Sequence, residues 1–404
     1  MKIITTIEIS QKAKRTLIVD LLRSPFDGIY RALSQVLALT IAVDVFHASD
    51  FQKAIISGGP YLGLVSAIFL TRLFIKSNLT CNVLLSLINL SFAFCMLILY
   101  FNSNIVVYTY LISLGLAIIA VRPFVMTPIL HNNYESSYRG KFYGYYFSLV
   151  SISTLLFIHY ASQYYQNNQN NYSNIILVFV ATGLCAAFIV YFFPKEKLPS
   201  KKSLDKSFLQ ILKDDPLFLK MLMIWFLFGF ANLGINPLKV VFLMEEQYGF
   251  NYTLSQTTFL LGIIPAFTFL IFTPVMAHLF DKFNFIKLRI LLNVFLGLSI
   301  ITFFSIKNYY GFIASGILFG IGLAGGNIAW NLWITKLTTP EKSFSYMSIH
   351  QFMTGVRGVL GPLVYFYLVG LTSPLSMAFI SFVLIFISVL FLIPLIKKGE
   401  SFNN

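Results

Sequence analysis

The sequence predicts an all-α integral membrane protein with twelve transmembrane helices, arranged as two pseudo-symmetric six-helix bundles. Of its 404 residues, 57% are hydrophobic and only 11% are charged, whereas about a quarter of the residues in soluble proteins are charged. Apolar runs of about 20 residues, the length of a helical span, recur along the chain. A polar stretch at 194–216 divides these runs into two sets of six.

Each apolar run defines one predicted span, read with a window of about 19 residues. The spans of the first half are 25–46, 54–75, 81–101, 105–130, 142–164 and 175–193. Those of the second half are 217–241, 257–280, 288–306, 310–334, 346–369 and 376–396. The predicted domains are therefore 1–193, with an amphipathic N-terminal segment lying on the membrane surface, a basic linker at 194–216, and 217–404.

The basic residues predict the orientation of the chain. With alternating spans, 22 Lys and Arg residues fall on the side that holds both termini and the linker, which alone carries six lysines. The other side carries three, Lys53, Lys239 and Lys307. Because basic loops stay in the cytoplasm, both termini are expected there. The net charge of +14 is thus attributed to a membrane surface, and no nucleic-acid partner is expected.

Several classes of function are not expected. The sequence contains no phosphate-binding Gly-rich loop with Lys, no HExxH and no Cys-x-x-Cys pair, so neither an enzyme nor an ATP-driven pump is expected. The three widely spaced cysteines predict neither a metal site nor a disulfide framework. We therefore expect no cofactor and no metal.

Charged residues inside the first bundle are functional candidates, because an ionisable group at membrane depth is costly unless it is paired or faces water. Asp27 and Arg31 lie four residues apart in the first span and are expected to pair. Arg122 in the fourth span lies at a similar depth and would join them. Asp27 is the candidate proton-coupling carboxylate. The alternative is that both arginines reach the lipid phosphates at the membrane surface.

The second bundle offers polar candidates in three spans. Arg357 lies near the middle of the eleventh span, and His350 shares its helix face, either as a proton-coupling group or as a hydrogen-bonded residue at the helix start. Asn327 and Asn331 share one face of the tenth span. Asn232 and Asn236 do so in the seventh, where Pro237 is expected to break the helix and free carbonyls for a substrate. The substrate-binding candidates are Arg31, Arg122, Asn232, Asn236, Asn327, Asn331 and Arg357.

The pattern of six plus six helices, with internal termini and a long basic central loop, resembles the major facilitator superfamily. The segment AHLFDKFNFIKLR carries Asp281 and Lys282 at the acidic and basic positions of the loop signature of that family. The resemblance implies that these two residues gate access to one side. The corresponding loop of the first half, TRLFIKSNLTCN, lacks the aspartate and the glycine. The resemblance also implies a central chamber that collects Asp27 and the seven substrate-binding candidates.

The predicted function is secondary active transport by alternating access, coupled to protons. Basic residues outnumber acids within the spans, which favours a small anionic solute such as a carboxylate or a siderophore-like metabolite. Efflux of amphipathic drugs is the alternative within transport, and a non-transporting receptor or scaffold is the alternative of another class. We expect a monomer in the lipid bilayer of a bacterial cytoplasmic membrane.

Overall fold

The computed structural model describes residues 10–168, 172–198, 208–337 and 340–397, which are almost entirely helical. Eleven helices in this described part are long and apolar enough to cross a membrane. The twelfth long helix, Asp50–Lys76, corresponds to the predicted second span. The predicted all-α class, with its apolar spans, is confirmed.

We number the long helices α1 to α12. In the first half they are α1 (Gln11–Asp44), α2 (Asp50–Lys76), α3 (Cys81–Tyr100), α4 (Ile105–Asn133), α5 (Ser136–Asn167) and α6 (Tyr172–Tyr191). In the second half, α7 is Pro216–Met244, and α8 comprises Leu254–Thr258, Phe259–Ile263 and Ile264–Lys282. The others are α9 (Phe285–Ser305), α10 (Tyr309–Leu337), α11 (Pro340–Val369) and α12 (Pro374–Leu392).

The first helix differs from its prediction in length. It begins at Gln11, so the basic segment before Pro25 forms the first turns of α1 rather than a separate surface helix over those residues. Residues 1–9 of that predicted segment lie outside the described residues. The N-terminal turns are not simply solvated, because Asp20 and Arg23 are buried there.

The same capping chemistry begins the second helix of each half. The Ser49 hydroxyl accepts from the Gln52 backbone N–H while the Gln52 side chain accepts from the Ser49 N–H, and Thr253 and Gln256 form the same reciprocal pair. Such a capping box satisfies two backbone donors that the first helical turn leaves free. The spacing between the two boxes is consistent with an internal repeat of about 200 residues.

Two helices at the contact between the halves contain a wider turn. Leu33–Leu37 in α1 and Phe259–Ile263 in α8 are π-helical, and they pack against each other. Gly262 lies at this crossing, where an added Cβ would be 3.5 Å from the Val36 side chain. Widened turns of this kind occur frequently at functional sites.

A second contact between the halves joins α2 to α11. At Gly355 an added Cβ would lie 2.7 Å from the Val65 backbone nitrogen and 2.9 Å from the Tyr61 carbonyl oxygen. The glycine therefore allows the two backbones to approach directly, as small residues do between membrane helices.

The first residues of the linker form polar contacts with the first half. The Glu196 carboxylate lies 2.5 Å from the Lys12 ammonium and accepts from Asn132 at 3.0 Å. A short helix, Phe208–Asp214, precedes α7, and residues 199–207 lie outside the described residues. We call this end of the bundle, with the starts of α1 and α7, the linker end. The opposite end, with 45–49 and 245–253, is the far end.

Candidate functional site

A cavity of ≈ 440 Å³ lies between the two halves, in the middle of the bundle. Its walls come from α1, α2 and α4 of the first half and α7, α8 and α10 of the second. Ser34 and Gln35 on α1 are exposed in this wall although they lie deep in the bundle. The cavity adjoins the π-helical turn of α8 through Leu260 and Gly262.

Two cations are the charged groups of this cavity, one from each half. They are Arg31 on α1 and Lys239 on α7, and no Asp or Glu is among the described lining residues. The Arg31 guanidinium lies 4.6 Å from the centre of the Phe269 ring across the interface, and its Nη1 is buried without a hydrogen-bond partner. A ligand with a negative group would supply what this nitrogen lacks.

Lys239 was not recognised as a site residue from the sequence, which placed it with the outer loop charges. It lies inside α7 and is only 4% exposed. Its ammonium is 4.6 Å from the centre of the Phe319 ring and 5.4 Å from that of Phe303. No ion pair involving it occurs among the described residues. Its position at the end of a predicted span concealed this burial.

The predicted asparagine pair on α7 does line the cavity. Asn236 donates from Nδ2 to the Asn232 carbonyl at 2.8 Å, and its own Oδ1 is buried without a partner. The expected break at Pro237 is wrong, because α7 continues through it to Met244.

The predicted pairing of Asp27 with Arg31 is also wrong. The Asp27 carboxylate accepts from Arg23 on its own helix, from Arg122 on α4 and, at 2.8 Å, from the Tyr146 hydroxyl on α5. Arg23 is likewise four residues from Asp27, on the other side along the helix, so spacing alone does not distinguish it from Arg31. The neighbouring helices determine that Asp27 pairs with Arg23, because α4 and α5 bring their polar groups to the linker side of Asp27.

The network around Asp27 extends toward the linker end. Arg23 donates from Nε to Asp20 at 2.8 Å, and Asp20 accepts from the Tyr134 hydroxyl at 2.6 Å. The network thus joins α1, α4 and α5 with two carboxylates and two guanidinium groups. Its Arg23 was missed because the sequence analysis placed it in a surface segment.

His350 lies in a different place, inside the second half. It is fully buried, and its ring centre is 5.2, 5.4 and 5.2 Å from those of Trp225, Trp330 and Trp333, all the tryptophans in the chain. Both ring nitrogens are without a hydrogen-bond partner. The residue is therefore held by aromatic packing and does not line the cavity.

Two arginines adjoin this aromatic cluster. Arg357 donates to the Trp225 carbonyl and, from Nη2 at 3.0 Å, to the Thr354 hydroxyl. Arg289 on α9 lies with its guanidinium carbon 3.8 Å from the centre of the Trp225 ring and 4.5 Å from that of Phe228. Cation–π contacts of this kind stabilise a desolvated guanidinium by about 2 kcal/mol. In the described residues neither arginine forms an ion pair.

The expected single chamber is therefore only partly observed. Of the predicted candidates, Arg31, Asn232 and Asn236 line the cavity, whereas Asp27, Arg122, Asn327 and Arg357 are not among its lining residues. The side chains of Asn331 and Asp281 lie outside the described residues, and Lys282 is exposed at the end of α8. The reason is the rotation of each helix about its axis. Residues spaced three or four apart lie on one helix face, but the sequence does not specify which neighbouring helix that face contacts.

The halves are joined by polar contacts at the far end. Lys53 on α2 pairs with Glu245 of the second half and, at 3.0 Å, with Asp50. Gln166 donates to the Thr253 hydroxyl at 3.1 Å, and the hydroxyls of Ser162 and Thr258 are 2.7 Å apart. These contacts hold the two halves together at the far end.

The Major Facilitator Superfamily model matches residues 28–362 and 250–404, and these overlapping segments cover most of the chain. The chain belongs to the major facilitator superfamily. A search of curated protein sequences gives no match.

Solved structures of this superfamily show the same fold. The nucleoside transporter NupG is similar with a TM-score of 0.69 at 14% identity, over 95% of this chain and 99% of that one. The human organic anion transporter MFSD10 (TETRAN) has a TM-score of 0.69 at 12% identity, over 95% and 100%. A D-xylose–proton symporter has a TM-score of 0.68 at 16% identity, over 97% and 99%.

At such identities the likeness establishes the fold and leaves the substrate open. The protein is thus a multi-pass membrane protein with the transporter fold of the major facilitator superfamily. This confirms the family resemblance read from its sequence.

Proposed function

We propose that this protein is a secondary active transporter that carries a small organic anion across the membrane by alternating access. The observation that carries the proposal is the cavity between the halves, which is lined by Arg31 from one half and Lys239 from the other and by no described acid. A carboxylate bound there would contact both halves at once. Such a ligand suits a mechanism in which two bundles rock about a central site.

The electrostatics of the cavity support an anion over a cation. Two positive charges in a partly desolvated site repel a cationic ligand, since like charges interact strongly where water is scarce. Drug export of lipophilic cations, the alternative within transport, would require an acid in this wall. Asn232 and Ser57 add neutral polar groups to the lining, and the Ser57 hydroxyl is buried without a partner. They would fix the orientation of the substrate.

The volume of the cavity limits the size of the substrate. At ≈ 440 Å³ it lies in the lower part of the range of about 300–1,000 Å³ found for small-molecule sites. A mono- or dicarboxylate of metabolite size fits this range better than a bulky siderophore. We therefore restrict the proposed substrate to the smaller class.

The proposal includes an orientation and a proton-coupling group. The linker end faces the cytoplasm of a bacterial cell, because it carries the excess of basic residues. Asp27 is the proposed coupling carboxylate. It lies one helical turn from Arg31, which is in the cavity wall. Protonation of Asp27 would weaken its ion pair with Arg122, which joins α1 to α4, and would let these two helices shift relative to each other.

The test is a thermal-shift screen of the purified protein against small carboxylates, larger siderophores and lipophilic cations. A ligand of the native state raises the apparent stability by about 2.7 kcal/mol at one hundred times its Kd. We expect stabilisation by one or more small carboxylates and none by the cations. Stabilisation by the cations alone would overturn the proposal and favour drug export.

Proton coupling is tested separately in proteoliposomes with the carboxylate that emerges. Asp27→Asn should abolish accumulation driven by a pH gradient while counterflow exchange continues. If the variant still accumulates substrate in response to the gradient, Asp27 is not the coupling group. Loss of both activities would instead assign Asp27 a structural role.

A further inference from the structure

A second concave site lies on the outer surface of the first half, facing away from the cavity. It is a groove of ≈ 570 Å³ between the first turns of α1 and the last turns of α6, at the linker end. Gln11, Lys14 and Arg15 form its polar end. No other described part of the chain covers this groove, and in a membrane its surrounding would be lipid.

The polar end of the groove has a positive charge that no described acid balances. Arg15 donates from Nε to the Phe192 carbonyl at 2.8 Å, which fixes it beside α6. Lys14 is exposed and has no ion pair among the described residues. The nearby Glu196 is already paired with Lys12. The groove therefore presents two cations side by side.

The rest of the groove is apolar and unusually exposed. Ile18 and Leu22 continue the same face of α1, with 49% and 56% of their surfaces accessible, and Phe188 on α6 is 68% accessible. Leu22 lies eight residues beyond Lys14, or about 12 Å along the helix axis at about 1.5 Å per residue. The groove thus changes from charged to apolar over the depth that separates a lipid headgroup from its acyl chains.

We propose that this groove binds one anionic phospholipid, with its phosphate and headgroup on Lys14 and Arg15 and an acyl chain along Ile18, Leu22 and Phe188. Basic pockets at the ends of membrane helices recognise anionic headgroups in this way. A zwitterionic lipid would satisfy the apolar part but would leave the pair of cations unbalanced. The charge of the groove therefore selects the anionic class.

Native mass spectrometry of the full chain tests this proposal. The purified protein is incubated with equal amounts of dioleoyl phosphatidylglycerol and dioleoyl phosphatidylcholine, and the retained lipid is identified. We expect a one-to-one adduct that strongly favours phosphatidylglycerol. Lys14→Gln should reduce its retention about fivefold, as removal of one interfacial cation does.

Three further variants make the test specific. Arg15→Lys keeps the charge and should retain the lipid, whereas Arg15→Gln should not, which separates charge from the structural contact with Phe192. Lys287→Gln removes another exposed cation, at the linker end of the second half, and should have no effect. Equal retention of phosphatidylcholine, or an equal loss in Lys287→Gln, would overturn the proposal.

Discussion

Replacing Lys239 by methionine separates two effects, because the charge that we propose binds an anion also costs stability when the cavity is empty. Lys239 is 4% exposed, and its ammonium lies over the Phe319 and Phe303 rings at 4.6 and 5.4 Å without an ion pair among the described residues. Methionine has a similar length and flexibility and carries no charge. The substitution therefore removes the charge with little change in packing.

The two expected effects have opposite signs. Burial of an unpaired ion costs several kcal/mol, of which the aromatic rings return about 2 kcal/mol. The empty Lys239→Met protein should thus be more stable by about 1 kcal/mol, which raises Tm by about 1–2 °C in a chain of this size. Binding should weaken, because a hydrogen bond to a charged group contributes about 1.5–3 kcal/mol, equivalent to about 10–150-fold in Kd.

Thermal-shift curves recorded with and without the identified carboxylate measure both effects in one assay. Lys307→Met is the matched control, since Lys307 is exposed in the turn between α9 and α10. It should change neither the Tm of the empty protein nor the shift caused by the ligand. Undiminished stabilisation of Lys239→Met by the ligand would refute the reasoning, as would a large fall in the Tm of the empty variant.

Three other substitutions test contacts beyond the cavity. Gly355→Ala should lower stability by about 1–3 kcal/mol, because the new Cβ meets the backbone of α2. Gly144→Ala is the control: its Cβ meets nothing within 4 Å, and it should raise stability by up to about 1 kcal/mol. Equal changes in Tm for the two variants would contradict the packing argument. Glu245→Gln breaks the far-end ion pair between the halves. Accessibility of the cavity is then measured with a cysteine placed at Ser57 and an impermeant maleimide added from the far side. Labelling should rise about tenfold if the equilibrium between closed and open far ends shifts by about 1.4 kcal/mol. Unchanged labelling would show that the ion pair does not hold the far end closed. His350→Phe should preserve proton-driven uptake, because the ring is packed among tryptophans and away from the cavity; loss of the pH response with normal exchange would restore His350 as a coupling group.

The helices themselves could be predicted from the sequence within a few residues. Apolar runs of helical length specify the spans, and residues such as Ser49 and Thr253 mark where two of them begin. The largest error was at α1, whose first turns are polar enough to resemble a surface segment. One face of those turns is buried, where Asp20 and Arg23 form an ion pair, and a hydropathy average does not register such pairing.

The candidate site was less predictable, because it depends on how each helix is rotated against its neighbours. Asp27 has an arginine four residues away on both sides, and only the positions of Arg122 and Tyr146 on other helices select Arg23. Lys239 lies two residues before the end of the predicted span, and it is inside the helix because α7 continues to Met244. The signal available in the sequence was a lysine followed by five apolar residues at 240–244.

The two halves stabilise their buried arginines differently, and this difference supports the proposed anion site. In the first half, Arg23 and Arg122 are neutralised by carboxylates, whereas in the second half Arg289 and Arg357 rest on aromatic rings, a hydroxyl and a backbone carbonyl. In both solutions the contacts of these side chains lie within one half. Arg31 and Lys239 also lie over aromatic rings, but they have no ion pair among the described residues, and both line the cavity where the halves meet. An anion bound between them would therefore stabilise the halves in contact, which couples its binding to the motion that transport requires.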